Sequence, residues 1–539
     1  MTDATMSADL VVVGGGLGGV AAALTASRLG QTVIMATEFQ CLGGQMTSQG
    51  VPPDEHPWVE MPMTSPSYQD LRNRIRDHYR RNYPLAASAR KDPTLNPGDG
   101  FVSALCHEPR VAAVVFEEMV SAAVAGGRLS ILRGYRPVRA SRRGATVTSV
   151  TVRGSDSGHE VDLTGTIVVD ATELGDLLEL AGVPFALGAE ARSETGELHA
   201  PIAPDPMDQQ AITWCFAVEY RHGEDHTIPR PPRYEYWRDR HDERWPGPQF
   251  SWTDVDPITL EPRELPIFRQ DPTSMNPEPG FDFWHYRRVL SRANMADEFT
   301  GGDVTSVNWP QVDYWELPLL GVDEATAERA RAEAKEMSLA FLYWMQTEAP
   351  RADGGVGYPE LRLRPDVMGS EDGFALEPYI REARRIRARF TVTEAHIGRQ
   401  MRGDGAGSEL FSDSVGLGFY RIDLHPSTSG RNYVDIDCFP FQIPLGCLIP
   451  LEVDNFLPAA KNIGTTHITN GAYRLHPVEW SIGEAVGALS AFCGRQRTTP
   501  TRVYEDLGAV QQFQRLLTEE LGLTLTWPDE IRRTGRPVT

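Results

Sequence analysis

Apolar residues are unevenly spaced along the N-terminal 40 positions. Residues 10–13 (Leu-Val-Val-Val) form an unbroken apolar run, residues 20–29 an alanine-rich stretch, and residues 32–36 a second largely apolar run. A short run without polar alternation predicts a strand buried on both faces, and the alanine-rich stretch predicts a crossover helix. Gly30 stands where a helix C-cap belongs. Together these segments predict a βαβ unit of about 30 residues, the size of a nucleotide-binding crossover.

Beyond it, residues 52–66 are proline-rich and read as an irregular excursion before a basic helix over 68–79. Residues 108–125 have helical spacing, 129–132 and 146–152 read as strands of a small sheet, and 166–169 as a buried strand ending in "DATELGDLLELAG". From 183 to about 404 the βαβ rhythm is lost and prolines and tryptophans rise; the clearest element is a helix over 324–347, with Met337, Phe341, Leu342 and Met345 on one apolar stripe. Arg381, Arg384, Arg385, Arg387 and Arg389, interleaved with Glu382, read as a basic helical face, solvated or salt-bridged. Strand-like patterning returns after 405, followed by a helix with Pro477 in its first turn and a helical tail over 503–520.

The expected fold is therefore α/β: a Rossmann-like dinucleotide-binding domain assembled from residues 8–182 and 405–499, an inserted α+β substrate or cap domain over 183–404, and a C-terminal helical extension over 500–539. A chain of 539 residues exceeds what one core usually serves, and 41% hydrophobic and 23% charged residues fit a globular protein. With 74 acidic against 52 basic residues, nucleic acid is not an expected partner. No stretch approaches the roughly 18 consecutive apolar residues of a membrane span, and residues 1–9 are too short and polar for a secretory signal, so the expected address is the cytoplasm. Six cysteines, Cys41 among them, occur without a Cys-x-x-Cys pair; they read as small buried hydrophobes and no metal site is expected.

Gly14, Gly16 and Gly19, with Gly18 inside the motif, give G-x-G-x-x-G directly between a strand and a helix. Glycines allow the tight turn and let backbone amides approach a pyrophosphate, whose charge the helix N-terminus favours. Glu38, at the end of the second strand, is the candidate ribose ligand, one residue later than the usual count.

Four blocks carry a resemblance to a family. The first is the glycine turn with "CLGGQMTSQGV", whose Gly43, Gly44, Gln45 and Thr47 match a Gly-Gly-Gln-x-Thr loop. In the second, Asp170, Ala171 and Thr172 match a "D-A-T-G" strand end, except that Glu173 replaces the glycine. The third comprises "DFWHYRR" (282–288) and "EPYIREARRI" (377–386), and the fourth "NFLPAAKNIGTTHITNGAYRLHPVEWSIGEAVG" (455–487), where Ala460-Lys461 replaces a Gly-Asp pair. Over nearly its full length the chain resembles a large bacterial family of FAD-dependent oxidoreductases within the glutathione-reductase-like flavoprotein superfamily. The resemblance implies FAD as cofactor, with the 43–47 loop along the flavin and Ala171, Thr172 and Asn462 beside it. A helix starting at Pro477 would aim the amides of Val478 and Glu479 at the flavin pyrimidine, where they stabilise the charge of the reduced ring.

No second nucleotide-binding unit is apparent, since "GDGAGS" at 403–408 lacks a preceding strand. The expected reaction is therefore hydride removal from an alcohol or amine, by an oxidase or dehydrogenase, with dioxygen or another acceptor taking the electrons. A base is needed, and His476, His467 and His425 are the candidates, His476 first because it precedes the flavin-facing helix. Arg474 and Arg421 are candidate anchors for an anionic substrate. Trp214, Trp284, Trp309 and Trp315 read as core packing. A flavin monooxygenase and a flavin-binding sensory or structural protein are the alternatives. Substrate and oligomeric state are not legible.

Overall fold

The computed structural model describes residues 4–61, 63–269 and 281–534. Parts of the expected excursion (residue 62), cap (270–280), tail (535–539) and N-terminus (1–3) lie outside them. The chain begins with β1 (Ala4–Val13), α1 (Leu17–Arg28) and β2 (Val33–Thr37). Leu10–Val13 and all of β2 are buried, as the unbroken apolar runs require, and the strands pair in parallel with Leu10 opposite Val33. Gly30 turns the chain at φ +96° just past α1. Helices α2 (Pro66–Asn82) and α3 (Pro109–Ala125) follow, then β3 (Leu129–Arg133), β4 (Tyr135–Arg143), β5 (Thr146–Gly154) and β6 (Glu160–Asp170). The sheet runs β3-β2-β1-β6-β5-β4. β6 pairs in parallel with β1 along one edge and is long enough to serve two partners on the other: its first half pairs antiparallel with β5, while Val168–Asp170 pair in parallel with Phe456–Pro458 from the far end of the chain. β4 is absent from the expectation because its arginine-rich sequence carries no apolar alternation.

The middle of the chain folds around an antiparallel sheet of β7 (Phe216–Tyr220), β8 (Arg288–Leu290), β9 (Val304–Val307) and β10 (Leu361–Leu363), in the order β8-β9-β7-β10. α4 (Glu324–Thr347) lies where the apolar stripe predicts it; Asp323 caps its start by accepting the Thr326 amide at 2.8 Å, and Met337, Phe341, Leu342 and Met345 are buried.

The basic segment 381–389 is not a helix. Arg385–Ile386 is extended and pairs with Phe185–Ala186, and Arg381 and Arg385 are buried rather than solvated. Arg385 bonds Glu382 and Glu190, so charge pairing overrides the helical spacing. The C-terminal part holds β11 (Ser414–Gly418), β12 (Ile422–Leu424), β13 (Val434–Ile436), β14 (Phe441–Pro444) and β15 (Phe456–Pro458), then α5 (His467–Tyr473) and α6 (His476–Gln496), with Pro477 in the first turn of α6. The tail is helical but broken, into Pro500–Glu505, Leu507–Arg515 and a wider turn over Leu516–Glu520. Among the described residues no helix is long and apolar enough to cross a membrane.

α1 and α6 touch backbone to backbone. A β-carbon on Gly483 would strike the Gly18 carbonyl and one on Gly487 the Ala22 carbonyl. Gly487→Ala is therefore expected to lower stability by about 1–3 kcal/mol through overpacking, read from denaturant unfolding; a loss below about 0.5 kcal/mol, the scale of an indifferent surface change, would contradict this contact.

Candidate functional site

The glycine turn is built for close approach. Gly14 has φ +113°, and a β-carbon there would run into the Ala171 carbonyl; one on Gly18 would run into that of Ala459, and one on Gly19 into that of Gly14. Gly16 is the N-cap of α1 and supplies no side-chain acceptor, so no cap of the turn's own competes with an outside anion for the first amides, although Glu479 reaches that of Gly18. Thr37 closes β2, and Glu38 follows as an exposed carboxylate at the strand end where a ribose ligand belongs.

The 43–51 loop packs on this turn. The Gly43 amide donates to the Gly15 carbonyl at 2.8 Å, Gly43 and Gly44 both take positive φ, and the Thr47 hydroxyl donates to the Leu42 carbonyl at 2.8 Å. Thr172 is held by Asp170, whose Oδ1 accepts the Thr172 amide at 3.0 Å and hydroxyl at 2.7 Å; burial pushes the Asp170 carboxyl up to about 7. Asn462 is a staple: its Nδ2 donates to the Asp170 carbonyl at 3.1 Å and its Oδ1 accepts the Ala460 amide at 3.0 Å.

The two departures from the superfamily pattern meet in space. Lys461 is fully buried and pairs with Glu173, whose other oxygen, Oε1, lies over Gly16 and Gly44. Glu479 completes the group: Oε1 accepts the Gly18 amide at 3.2 Å and Oε2 accepts Gln45 Nε2, which also donates to the Arg474 carbonyl at 3.0 Å. Burial above all pushes the Glu479 carboxyl up, with Lys461 opposing and Glu173 adding to the rise. The expected bare amide of Glu479 is corrected, because it donates to the Leu475 carbonyl at 2.9 Å inside the first turn; the Glu479 side chain, not its amide, reaches the turn. No backbone acceptor takes the Val478 amide among the described residues.

Arg474 leads from this group into a cavity of about 320 Å³ walled by both the middle and C-terminal segments. Its aromatic lining includes Phe283 stacked on Trp309 at 5.0 Å, so Trp309 belongs to a wall as well as to the core. His425 is the histidine on this wall. Its Nδ1 lies 2.6 Å from the buried Asp313 and its Nε2 3.6 Å from Asp423. Against burial, Arg381 and then His425 hold the Asp313 carboxyl below its ordinary value, so it stays an anion.

The other two histidines are placed differently. His467 is buried outside the cavity lining, with Nδ1 2.8 Å from Glu382 and Nε2 3.0 Å from Arg431. Both ring nitrogens are committed, so it braces α5 instead of facing a substrate. His476 is fully buried; Nδ1 accepts the Asp54 amide at 3.1 Å, and burial followed by the Arg287 charge holds the ring neutral, well below its ordinary range. It does not line the cavity, which corrects its first ranking as base; its position beside Asp54 and Arg287 sets it behind the wall.

These residues fit FAD. The glycines let the turn close directly against the backbone of Ala171 and Ala459 at the start of α1, where a pyrophosphate would lie, and Glu173 Oε1, Gln45 Oε1 and His476 Nε2 are buried polar atoms without a partner along turn, loop and helix. Glu173 and Glu479 oppose a pyrophosphate in sign; Lys461 pairs with Glu173, and burial pushes the Glu479 carboxyl up towards its neutral form. Lys461→Met is expected to cost about 3–5 kcal/mol near pH 8, the cost of stripping a buried charge of its partner. Without the cation the largest opposition to the rise that burial and Glu173 impose on the Glu479 carboxyl is gone, so stability should be retained at acid pH and lost as pH rises. Glu173→Gln in the same chain should restore most of it; denaturant unfolding at the two pH extremes checks this, and a pH-independent loss would contradict it.

The solved structures that resemble this chain are remote. L-proline dehydrogenase from P. horikoshii is 17% identical, with 35% of this chain and 25% of that one covered and a TM-score of 0.18. The flavin-dependent monooxygenase PieE, in complex with FAD and substrate, is 14% identical (41% and 36% covered, TM-score 0.24). Glycerol-3-phosphate dehydrogenase from Bacillus halodurans, complexed with FAD, is 13% identical (40% and 40%, TM-score 0.23). The match spans between a quarter and two fifths of those three proteins, and no curated protein matches the chain. The family model for FAD dependent oxidoreductases, by contrast, matches residues 9–517. With the glycine turn, its parallel sheet and that near-complete match in hand, the chain belongs to the FAD-dependent oxidoreductase family.

Proposed function

We propose that this enzyme oxidises a small alcohol or amine bound in the cavity, as an oxidase or dehydrogenase, with residues 183–404 serving as the substrate cap. The observation that carries the reading is His425 on the cavity wall, backed by the buried Asp313, with the wall joined to the glycine turn through Gly18, Glu479, Gln45 and Arg474. Bound FAD supplies the two-electron acceptor. The residues that would hold it are Gly14, Gly16, Gly18 and Gly19 at the pyrophosphate, Glu38 at a ribose, and Gly43, Gly44, Gln45 and Thr47 with the start of α6 along the flavin.

Loss of hydride from a C–H next to O–H or N–H leaves one proton to place. Asp313 accepts from Nδ1 of His425 and so fixes the tautomer, which leaves Nε2, with Asp423 at 3.6 Å, to take that proton. Trp309 and Phe283 cover one side of the cavity with apolar surface, so a bound substrate would displace water there. Arg474, the C-cap of α5, is locked by the Tyr379 hydroxyl at 2.6 Å and the Asp423 carbonyl at 3.1 Å, and fixes the wall against which the substrate lies.

The test is an anaerobic screen of alcohols and amines against the purified holoprotein for bleaching of the flavin absorbance. His425→Asn should slow reduction by an active substrate about 10²–10⁴-fold with unchanged flavin content. A rate within about tenfold of wild type, less than a base should contribute, would remove His425 from the proposal. Flavin reduced by NAD(P)H with coupled dioxygen uptake, and by none of the alcohols or amines, would replace the oxidase reading by a monooxygenase.

A further inference from the structure

Hydrogen-bond accounting along the cavity wall is lopsided. Six buried nitrogen donors on cavity-lining residues have no hydrogen-bond partner among the described residues, namely Nε and Nη1 of Arg287, Nε of Arg381, Nε of Arg474, Nδ2 of Asn308 and Nε1 of Trp309, and neither does the Tyr433 hydroxyl. Of the buried carboxylate oxygens on the same wall, Asp54 Oδ1 lacks a hydrogen bond among the described residues and has only the Arg287 ion pair at 3.4 Å. The remaining acidic groups are engaged. Asp423 serves Arg474 at 3.3 Å and faces His425, Asp254 and Asp256 serve Arg263 at 2.8 and 3.2 Å, and Asp435 pairs with Arg421. Behind the wall, Asp313 serves His425 and Arg381.

Arg287 is the sharpest case. It is 7% exposed, and its nearest carboxylate, Asp54, stands at 3.4 Å, well beyond the 2.7–2.9 Å of a good charge-assisted bond. Despite burial, which favours the neutral form, the Asp54 carboxylate holds the guanidinium charged. Tyr286, Tyr379, Tyr420 and Tyr433 also line the cavity, and burial pushes each phenol up, so all four remain neutral hydroxyls. A buried guanidinium left with unmade bonds is costly to the free protein, and an anionic acceptor relieves that cost on binding.

We propose that the cavity recognises a carboxylate, held by Arg287 with Arg381 and Arg474 beside it, so that the substrate is a small organic acid carrying the alcohol or amine to be oxidised. This deepens the reading of the cavity as the substrate site and rests on it. The acid group would occupy the donor-rich wall, and the oxidisable carbon would then lie between that wall and His425.

Binding of acid and amide pairs separates charge from shape. Acetate, benzoate and cinnamate, each against its own amide, are titrated into the purified holoprotein by calorimetry, a readout that needs no flavin reduction. At least one acid should bind about tenfold or more tightly than its amide, the worth of one charge-assisted bond. Arg287→Met should abolish the difference, and Arg287→Lys, which keeps the buried charge, should retain part of it. Equal or undetectable binding across all three pairs, or a preference that survives in a folded Arg287→Met protein, would overturn the proposal. Should Arg287→Met fail to fold, loss of the acid preference in Arg381→Gln decides in its favour and its persistence against it. An acid preference in a protein whose flavin no alcohol or amine reduces would leave the carboxylate site standing and sink the oxidation reading alone.

Discussion

Around the glycine turn, backbone meets backbone with no room for a side chain between. Gly14 lies against the Ala171 carbonyl, Gly18 against that of Ala459, and Gly483 and Gly487 of α6 against the carbonyls of Gly18 and Ala22. These contacts join three segments widely separated in sequence: the first crossover, the end of β6, and the closing strand and helix. The parallel pairing of β15 with Val168–Asp170 depends on the same approach. Once the segments are fixed, the α1 N-terminus, the 43–51 loop and the α6 N-terminus converge on one place, which is the geometry a dinucleotide running from turn to cavity requires.

That convergence also concentrates charge. Glu173, Glu479 and Lys461 are packed at the turn, and Asp313, Asp423, Arg381 and Arg474 a short way along the same path. Each carboxylate is tolerated because a cation or an amide reaches it, and the arrangement is uneven in a useful way. Near the turn, Lys461 and the Gly18 amide reach the carboxylates while Glu173 Oε1 and Gln45 Oε1 stay unpartnered, whereas along the cavity unpartnered donors outnumber unpartnered acceptors. Both ends of the path thus suit an anion, the turn through backbone amides and the wall through guanidinium groups.

Much of the fold was legible because burial on both faces leaves a strong trace. The runs at 10–13 and 32–36 and the stripe of α4 gave elements close to those observed. The polar strand β4 and the extended, salt-bridged segment around Arg385 were not legible: in both, tertiary partners rather than local periodicity decide the conformation. The glycine turn was readable from spacing, but the Glu173–Lys461 pair was not, since two departures 288 residues apart reveal their connection only when folded. Among the histidines, proximity in sequence to α6 favoured His476, yet exposure to the cavity singles out His425, whose partner Asp313 lies 112 residues away.

The central claim is that turn and cavity form one site, spanned by a single FAD. A crystal structure of the FAD-loaded protein tests it most directly. The account predicts density for the pyrophosphate against the amides of the Gly14–Gly19 turn and for the flavin ring bordering the wall that carries His425 and Arg474. A flavin ring directed away from that cavity, with the pyrophosphate off the turn, would contradict it.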